Sequence, residues 1–234
     1  MTLQINGIQK TCLINYPGKV VSTLFLGGCN MQCPYCHNKD LVINPEQLEK
    51  IKENEIITFL ESKKGWVDGV CISGGEPTLQ KDLPKFIEKI KERGLVVKLD
   101  TNGTNPEMIK YLIDNKLTDF ISMDIKAPLE KYDIVTRTKT NKKDIQESID
   151  ILRNSKIKHE FRTTVVPGLF SKEDAKEIGK WLKDCEHFTL QQFKPNKNTI
   201  DSSYNKKETF KREEMEEFKQ IMQKYIKNVE LKAT

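Results

Sequence analysis

The chain has 234 residues, 31% charged and 37% hydrophobic, with a formal net charge of +5 at pH 7. This length suits one globular domain, and the composition excludes a fibrous or disordered protein. The apolar runs are too short for a membrane span, and the small positive charge does not by itself indicate a nucleic-acid partner. We therefore expect neither a membrane nor a nucleic acid among its partners.

Predicted strands and helices alternate along most of the chain. An apolar, β-branched run predicts the first strand at residues 20–26. Asn44 and Pro45 predict the start of a helix that runs to about Lys63. Further strands are predicted at residues 70–73, 95–99, 120–124, 161–166 and 188–193, with helices between them. Ser171 and Asp174 predict a capped helix start before the last of these strands.

The six βα units indicate an α/β protein with a parallel sheet. A full eightfold barrel takes about 250 residues, so we expect a partial (β/α)6 TIM-like barrel, with a doubly wound sheet as the alternative. One domain over residues 1–234 is predicted, with its core at about 18–195. An amphipathic helix at about 208–227 is expected to cover the open side of the barrel, or else to dock a partner.

Three of the six cysteines, Cys29, Cys33 and Cys36, fall within eight residues directly after the first predicted strand. Clustered cysteines that stay reduced in a cytoplasmic chain indicate metal ligands. Three thiolates can hold three irons of a cubane iron–sulfur cluster and leave the fourth iron open to a substrate. The alternative is one structural zinc ion held by these cysteines and His37.

Gly74, Gly75 and Glu76 follow the second predicted strand. Two glycines allow the backbone to approach a ligand closely, and Glu76 supplies a carboxylate that can accept from an ammonium group. A tight turn without a ligand explains the same residues equally well.

The CxxxCxxC spacing of these cysteines, followed by GGEP, resembles the radical S-adenosylmethionine (SAM) superfamily. The series CPYCHN, GGEPTLQ, LDTNG, MDIKAP and RTTVVPG, between about Gly7 and Pro195, is similar to the activating enzymes of glycyl-radical enzymes. Within these, it most resembles the activating proteins of anaerobic ribonucleoside-triphosphate reductases.

The resemblance implies a role for each residue of these motifs. Cys29, Cys33 and Cys36 would ligate a [4Fe-4S] cluster, and Gly74, Gly75 and Glu76 would meet the amino group of SAM. Lys126 would pair with the SAM carboxylate. The remaining residues of the implied SAM pocket are Tyr35, His37, Asp100, Thr101, Asn102, Asp124, Arg162 and Val165, with Gln192 or Lys194 as further wall residues.

The resemblance also implies the reaction and its partners. Reductive cleavage of SAM at the cluster would give a 5′-deoxyadenosyl radical, which abstracts hydrogen from a backbone glycine of a partner enzyme. That partner would be an anaerobic ribonucleotide reductase, and flavodoxin or ferredoxin would donate the electron in the cytoplasm. The alternatives are a formate-lyase-type partner, a small-molecule substrate as in 7-carboxy-7-deazaguanine synthase, or a metal-binding module without activity.

Some of these residues have ordinary structural explanations. Asp100 could cap a turn, Lys126 could be a solvated lysine, and Arg162 could pair with a neighbouring carboxylate. The activating enzymes often carry an Asp shortly before an N-terminal Pro-Gly, where this chain has Asn15 before Tyr16. Because Asn brings no charge, the role of that Asp in holding the target glycine does not carry over directly.

Overall fold

The computed structural model describes residues 3–233. Met1, Thr2 and Thr234 lie outside the described residues. Within residues 3–233, no helix is both long enough and apolar enough to cross a membrane.

The described residues form eight strands and eight α-helices. The strands are β1 (Ile5–Cys12), β2 (Val21–Leu26), β3 (Gly69–Gly74), β4 (Val96–Thr101), β5 (Phe120–Asp124), β6 (Lys158–Val165), β7 (His187–Gln192) and β8 (Asn228–Ala233). The helices are α1 (Lys39–Ile43), α2 (Glu53–Ser62), α3 (Leu83–Lys91), α4 (Pro106–Asp114), α5 (Tyr132–Thr136), α6 (Lys142–Asn154), α7 (Lys172–Trp181) and α8 (Arg212–Met222).

These elements belong to two compact units. The first comprises the described residues up to Asn30, together with Asp40–Ser122 and Lys143–Lys158. The second comprises Met31–Lys39, Met123–Lys142 and the described residues from His159 onward.

In the first unit the strands follow the order β1-β2-β3-β4-β5. β1 runs antiparallel to β2, whereas β2, β3 and β4 are parallel. Thr23, Cys71 and Lys98 occupy one row across the three parallel strands. Cys71 also belongs to a buried apolar cluster; the other members are Cys12, Tyr16 and Val21, with Val96 and Phe120 packed against them.

In the second unit, β6, β7 and β8 are parallel and adjacent in that order. The end of β5 joins them, because the amide of Ile125 donates to the Arg162 carbonyl at 2.8 Å. Helix α8 connects β7 to β8 and packs on α7. Its Phe218 ring lies 5.1 Å from Phe170 and 5.0 Å from Phe210, both nearly edge to face.

The expected α/β class with parallel strands is confirmed, and all six predicted strands are present. The count of strands was too low, because β1 and β8 were not predicted. β1 is a polar edge strand that alternates weakly, and β8 directly follows an amphipathic helix. The predicted C-terminal helix is therefore the crossover of a further βαβ unit rather than a simple cover.

The helix predicted over residues 44–63 was wrong in its first half. Pro45 opens only a single 3-10 turn, and Asn44 makes no side-chain cap. The amide of Ile51 instead donates to the carbonyl of Ile5 at 2.8 Å, which holds this segment in an extended conformation. The helix begins at Glu53. The cap at Ser171 is confirmed, since its side chain accepts the backbone N–H of Asp174. Asn105 caps α4 in the same way, by accepting the backbone N–H of Met108.

Replacing Phe218 with Ala tests whether α8 is part of the core of the second unit. Phe218 is 3% exposed, so we expect the free energy of unfolding to fall by about 3–5 kcal/mol in urea denaturation. Trp66→Ala is the control, because Trp66 is 81% exposed and its loss should change stability by less than about 0.5 kcal/mol. Equal effects of the two substitutions would contradict the packing described.

Candidate functional site

The first unit holds Cys29 and the Gly74-Gly75-Glu76 segment side by side. A Cβ on Gly75 would lie 1.9 Å from the carbonyl oxygen of Gly28, and one on Gly74 would lie 2.4 Å from the backbone of Leu26. The amide of Glu76 donates to that Gly28 carbonyl at 2.8 Å. The two glycines therefore let the end of β3 touch the backbone that leads into Cys29.

The Glu76 side chain is fully buried and receives four hydrogen bonds. Its Oε1 accepts from the Thr78 amide at 3.1 Å, the Thr78 hydroxyl at 2.5 Å and the Thr101 hydroxyl at 2.7 Å. Its Oε2 accepts from the Asn102 amide at 2.5 Å. Burial raises the pKa of the Glu76 carboxyl, and these hydrogen bonds act in the opposite direction.

Within the first unit, the Glu76 carboxylate connects the ends of β3 and β4. The expected contact of this carboxylate with the ammonium group of a ligand stays a prediction. An approach of a ligand to the backbone of Gly74 and Gly75 stays a prediction. Thr101 and Asn102, expected as pocket residues, are the partners of Glu76 within this unit.

Asn102 also contacts Cys29 and Asn30. Its side-chain amide lies 3.9 Å from the Cys29 Sγ and donates to Asn30 Oδ1 at 2.9 Å. Its own oxygen accepts from the Thr104 amide and hydroxyl, at 3.0 and 2.7 Å. The side-chain nitrogen of Asn102 thus contacts Cys29 and Asn30, and its side-chain oxygen holds Thr104.

Asp100 forms an ion pair with Lys98, a residue that the sequence reading did not single out. Lys98 is 2% exposed, and its ammonium lies 5.8 Å from the centre of the Phe120 ring. A lysine between Val97 and Leu99 in an apolar strand was the available signal. The pair assigns Asp100 a partner within the fold.

Asn15 is engaged within the first unit. Its side-chain amide donates to the Thr23 hydroxyl at 2.9 Å. This bond attaches the loop after β1 to the sheet.

In the second unit, Cys33 is buried and Cys36 is half-buried. Burial raises the pKa of the Cys33 thiol to about 11, although the Lys126 ammonium acts to lower it. Burial raises the pKa of the Cys36 thiol as well. Both thiols are therefore protonated at neutral pH, and metal binding must displace their protons.

Tyr35 and His37 flank Cys36 and pack on one aromatic residue. The Phe193 ring lies 6.4 Å from Tyr35 and 5.6 Å from His37. The Tyr35 hydroxyl is buried without a hydrogen-bond partner among the described residues. A buried donor of this kind fits a site that is completed by a bound group.

Asp124, Lys126 and Arg162 form a charged triad in the second unit. Lys126 Nζ lies 2.8 Å from Asp124 Oδ2, and Arg162 Nε contacts Asp124 Oδ1. Desolvation would raise the pKa of Asp124, but Arg162 and Lys126 outweigh it and hold the pKa well below its usual range. Desolvation would lower the pKa of Lys126, but Asp124 keeps it well above its ordinary value. All three are charged at neutral pH.

Tyr132 supports this triad and was also missed by the sequence reading. Its ring is fully buried, and its hydroxyl accepts from the Lys126 amide at 3.3 Å and donates to the Asp124 carbonyl at 3.4 Å. It lies in α5, which also buries Val135 and Thr136.

The expected wall residues differ in their placement. Val165 is fully buried, so it contributes to the core rather than to an open wall. Gln192 donates to the Phe210 carbonyl at 2.5 Å, and Lys194 is exposed. Their roles toward a ligand stay predictions.

The chemistry of the three clustered cysteines fits an iron–sulfur cluster. None of the six cysteines, all within the described residues, forms a disulfide, and thiolates are the usual ligands of such clusters. Among residues 3–233, no three His, Cys, Asp or Glu side chains gather around a point that one metal ion could fill.

Comparisons with known proteins agree with this chemistry. A profile of the radical SAM superfamily matches residues 23–184. A protein of Methanocaldococcus jannaschii, provisionally named a glycyl-radical enzyme activating enzyme, is 38% identical over 100% of this chain and 97% of its own length. The pyruvate formate-lyase-activating enzyme of Streptococcus mutans is 30% identical over 78% of this chain and 73% of its own.

A solved structure supports the fold. A domain of the pyruvate-formate lyase-activating enzyme from Bacteroides vulgatus superposes with a TM-score of 0.54 over 69% of this chain and 98% of that one, at 16% identity. At that identity the likeness concerns the fold alone.

Replacing Glu76 with Gln tests the buried carboxylate. The amide would place an NH₂ group where one carboxylate oxygen now accepts a backbone or hydroxyl proton. We expect the free energy of unfolding to fall by about 1–3 kcal/mol, measured by urea denaturation at pH 7. Glu107→Gln in the first turn of α4 is the matched control. If both variants have the stability of the wild type, the described network is wrong.

Replacing Arg162 with Gln tests the triad through pH. Asp124 has a lowered pKa, so its contribution to stability is present above the unfolded pKa of about 3.9 and is lost as pH falls toward the folded value. We expect the free energy of unfolding to fall by about 1–3 kcal/mol at pH 7. The difference from the wild type should become smaller below about pH 4. Arg212→Gln, at an exposed position, is the control. A loss that does not depend on pH would show that Arg162 acts by packing only.

Proposed function

Since this chain belongs to the radical SAM superfamily, among its glycyl-radical enzyme activating enzymes, we propose that it activates an anaerobic ribonucleoside-triphosphate reductase. In that reaction a hydrogen atom is removed from the Cα of a backbone glycine of the reductase, which leaves a glycyl radical. The observation that carries the proposal is the series of three cysteines, Cys29, Cys33 and Cys36, none of them in a disulfide, directly after the first parallel strand.

The superfamily uses a [4Fe-4S] cluster and SAM. When bound and reduced by an external donor, the cluster would supply the one electron that cleaves the C5′–S bond of SAM, which gives methionine and the 5′-deoxyadenosyl radical that takes up the hydrogen atom. Cys29, Cys33 and Cys36 would hold the cluster, and the iron without a cysteine would be open to SAM. The protein contributes binding, orientation and protection from solvent.

Charged side chains and polar groups of the matched motifs would orient SAM. In the second unit the Lys126 ammonium can pair with the SAM carboxylate, while Asp124 and Arg162 hold it in place. In the first unit the backbone at Gly74 and Gly75 is open to close approach, and Asp100 offers a hydrogen-bond acceptor. The Tyr35 hydroxyl is a buried donor that a bound group can satisfy.

The choice of reductase rests on the series of motifs that follows the cysteine loop. A formate-lyase-type partner is the second candidate, and the 30% identity to the Streptococcus mutans enzyme favours it. Flavodoxin or ferredoxin is proposed as the electron donor, and the cytoplasm as the location, where thiols remain reduced. A small-molecule substrate is the third candidate.

Electron paramagnetic resonance tests the activase proposal. The protein would be reconstituted with iron and sulfide without oxygen, reduced, and mixed with SAM and the reductase from the same organism. We expect a doublet glycyl radical on the reductase. Cys33→Ala should abolish the radical, and Cys185→Ala, which removes a buried thiol outside the loop, should preserve it.

The other outcomes decide between the candidates. If a radical forms only on a formate-lyase-type partner, the proposed reductase partner is wrong and the proposed activase function stands. A cluster signal that shifts with SAM, without a radical on either partner, would overturn the activase reading in favour of a small-molecule substrate.

A further inference from the structure

We propose that Arg137 and Asp201 are a pair of positioning residues that hold the cysteine loop, residues 31–37, in the shape that binds the cluster. The importance of that shape rests on the function proposed above. Neither residue belongs to a motif of the sequence. Both lie in polar segments of the second unit, one at the end of α5 and the other after β7.

Two other segments hold the cysteine loop through backbone hydrogen bonds. On one side, the Gln32 amide donates to the Thr136 carbonyl at 2.9 Å. On the other, the Asp201 amide donates to the Pro34 carbonyl at 3.0 Å, and the Ile200 amide donates to the Cys36 carbonyl at 3.2 Å. The loop is therefore supported before Cys33 and again on both sides of Tyr35.

The ion pair joins these two supports to each other. Arg137 Nη2 lies 2.5 Å from Asp201 Oδ2. Arg137 directly follows Thr136, and Asp201 is itself one of the backbone donors. The contacts close a ring that runs from the cysteine loop through Thr136 and Arg137 to Asp201 and back to the loop.

Asp201 is well prepared for this role. Its Oδ1 accepts from the Ser203 amide at 3.0 Å and the Ser203 hydroxyl at 2.7 Å, so Oδ2 remains directed at Arg137. Hydrogen bonds from Ser203 and Arg137 lower the pKa of Asp201 to about 2. The pair is therefore fully charged at neutral pH.

The backbone of Arg137 is also fixed. Its φ of 52° is in the left-handed region at the end of α5, which few residues other than glycine adopt. The side chain is about half exposed, so the pair adds little to global stability. Its effect should therefore be local, on the loop that it helps to close.

Alkylation of the metal-free protein measures this effect without any activity. The rate at each cysteine would be followed by mass spectrometry after addition of N-ethylmaleimide. In Arg137→Met we expect Cys33 and Cys36 to react roughly two- to fivefold faster. Cys29 should keep its rate, and the buried Cys12, Cys71 and Cys185 should stay slow, which shows that the fold is intact.

Matched variants distinguish the loss of the Arg137–Asp201 contact from a general loosening of the fold. Asp201→Asn keeps an acceptor for Ser203 but loses the charge, so it should match Arg137→Met, and combining the two should add nothing. Arg137→Lys keeps the charge and should restore the wild-type rates. Lys142→Met removes the similarly exposed Lys142–Asp133 pair of the same stretch, 3.5 Å long, and should change no rate.

The reconstituted protein gives a second measurement. Loss of iron to a chelator should accelerate by about the same two- to fivefold factor in Arg137→Met and return to the wild-type rate in Arg137→Lys. Unchanged rates at Cys33 and Cys36, or equal acceleration at all six cysteines, would overturn the proposal. If no glycyl radical forms but the two thiols respond as described, the positioning role stands and only the proposed function fails.

Discussion

A buried carboxylate is the constraint on which the polar residues of the first unit depend. Glu76 lies at the end of β3 without access to water, and its charge is tolerated only because four donors point at it. Those donors come from Thr78 in the next turn and from Thr101 and Asn102 at the end of β4. Asn102 in turn reaches Cys29, so satisfying one charge also places a proposed cluster ligand.

The second unit also contains a carboxylate partly removed from water, and there cationic side chains stabilise it. Asp124 is the half-buried last residue of β5 and is kept ionised by Arg162 and Lys126. Tyr132 fixes the backbone between them, which limits the ways in which Lys126 can move. In both units, polar groups at strand ends are held by their neighbours before any ligand is bound, as electrostatic preorganisation requires.

Apolar runs predicted the parallel strands, and the strand at Phe120–Asp124 was predicted to the residue. β1 and β8 were not predicted because edge strands need little apolar sequence, and pairing with a neighbour decides their conformation. The motifs identified Glu76 but not its hydrogen bonds to Thr101 and Asn102, since partners far apart in sequence leave no local pattern. The roles of Lys98 and Arg137 were not predicted for the same reason, because each depends on an ion pair with another residue.

The central claim is that the hydrogen atom removed belongs to a backbone glycine of the partner enzyme. The most direct measurement is the mass of the 5′-deoxyadenosine formed when the reductase carries glycine deuterated at Cα. Incorporation of deuterium into 5′-deoxyadenosine, in proportion to the glycyl radical formed, is the predicted result. Turnover of SAM in the presence of the labelled reductase, without any deuterium in the product, would contradict the claim.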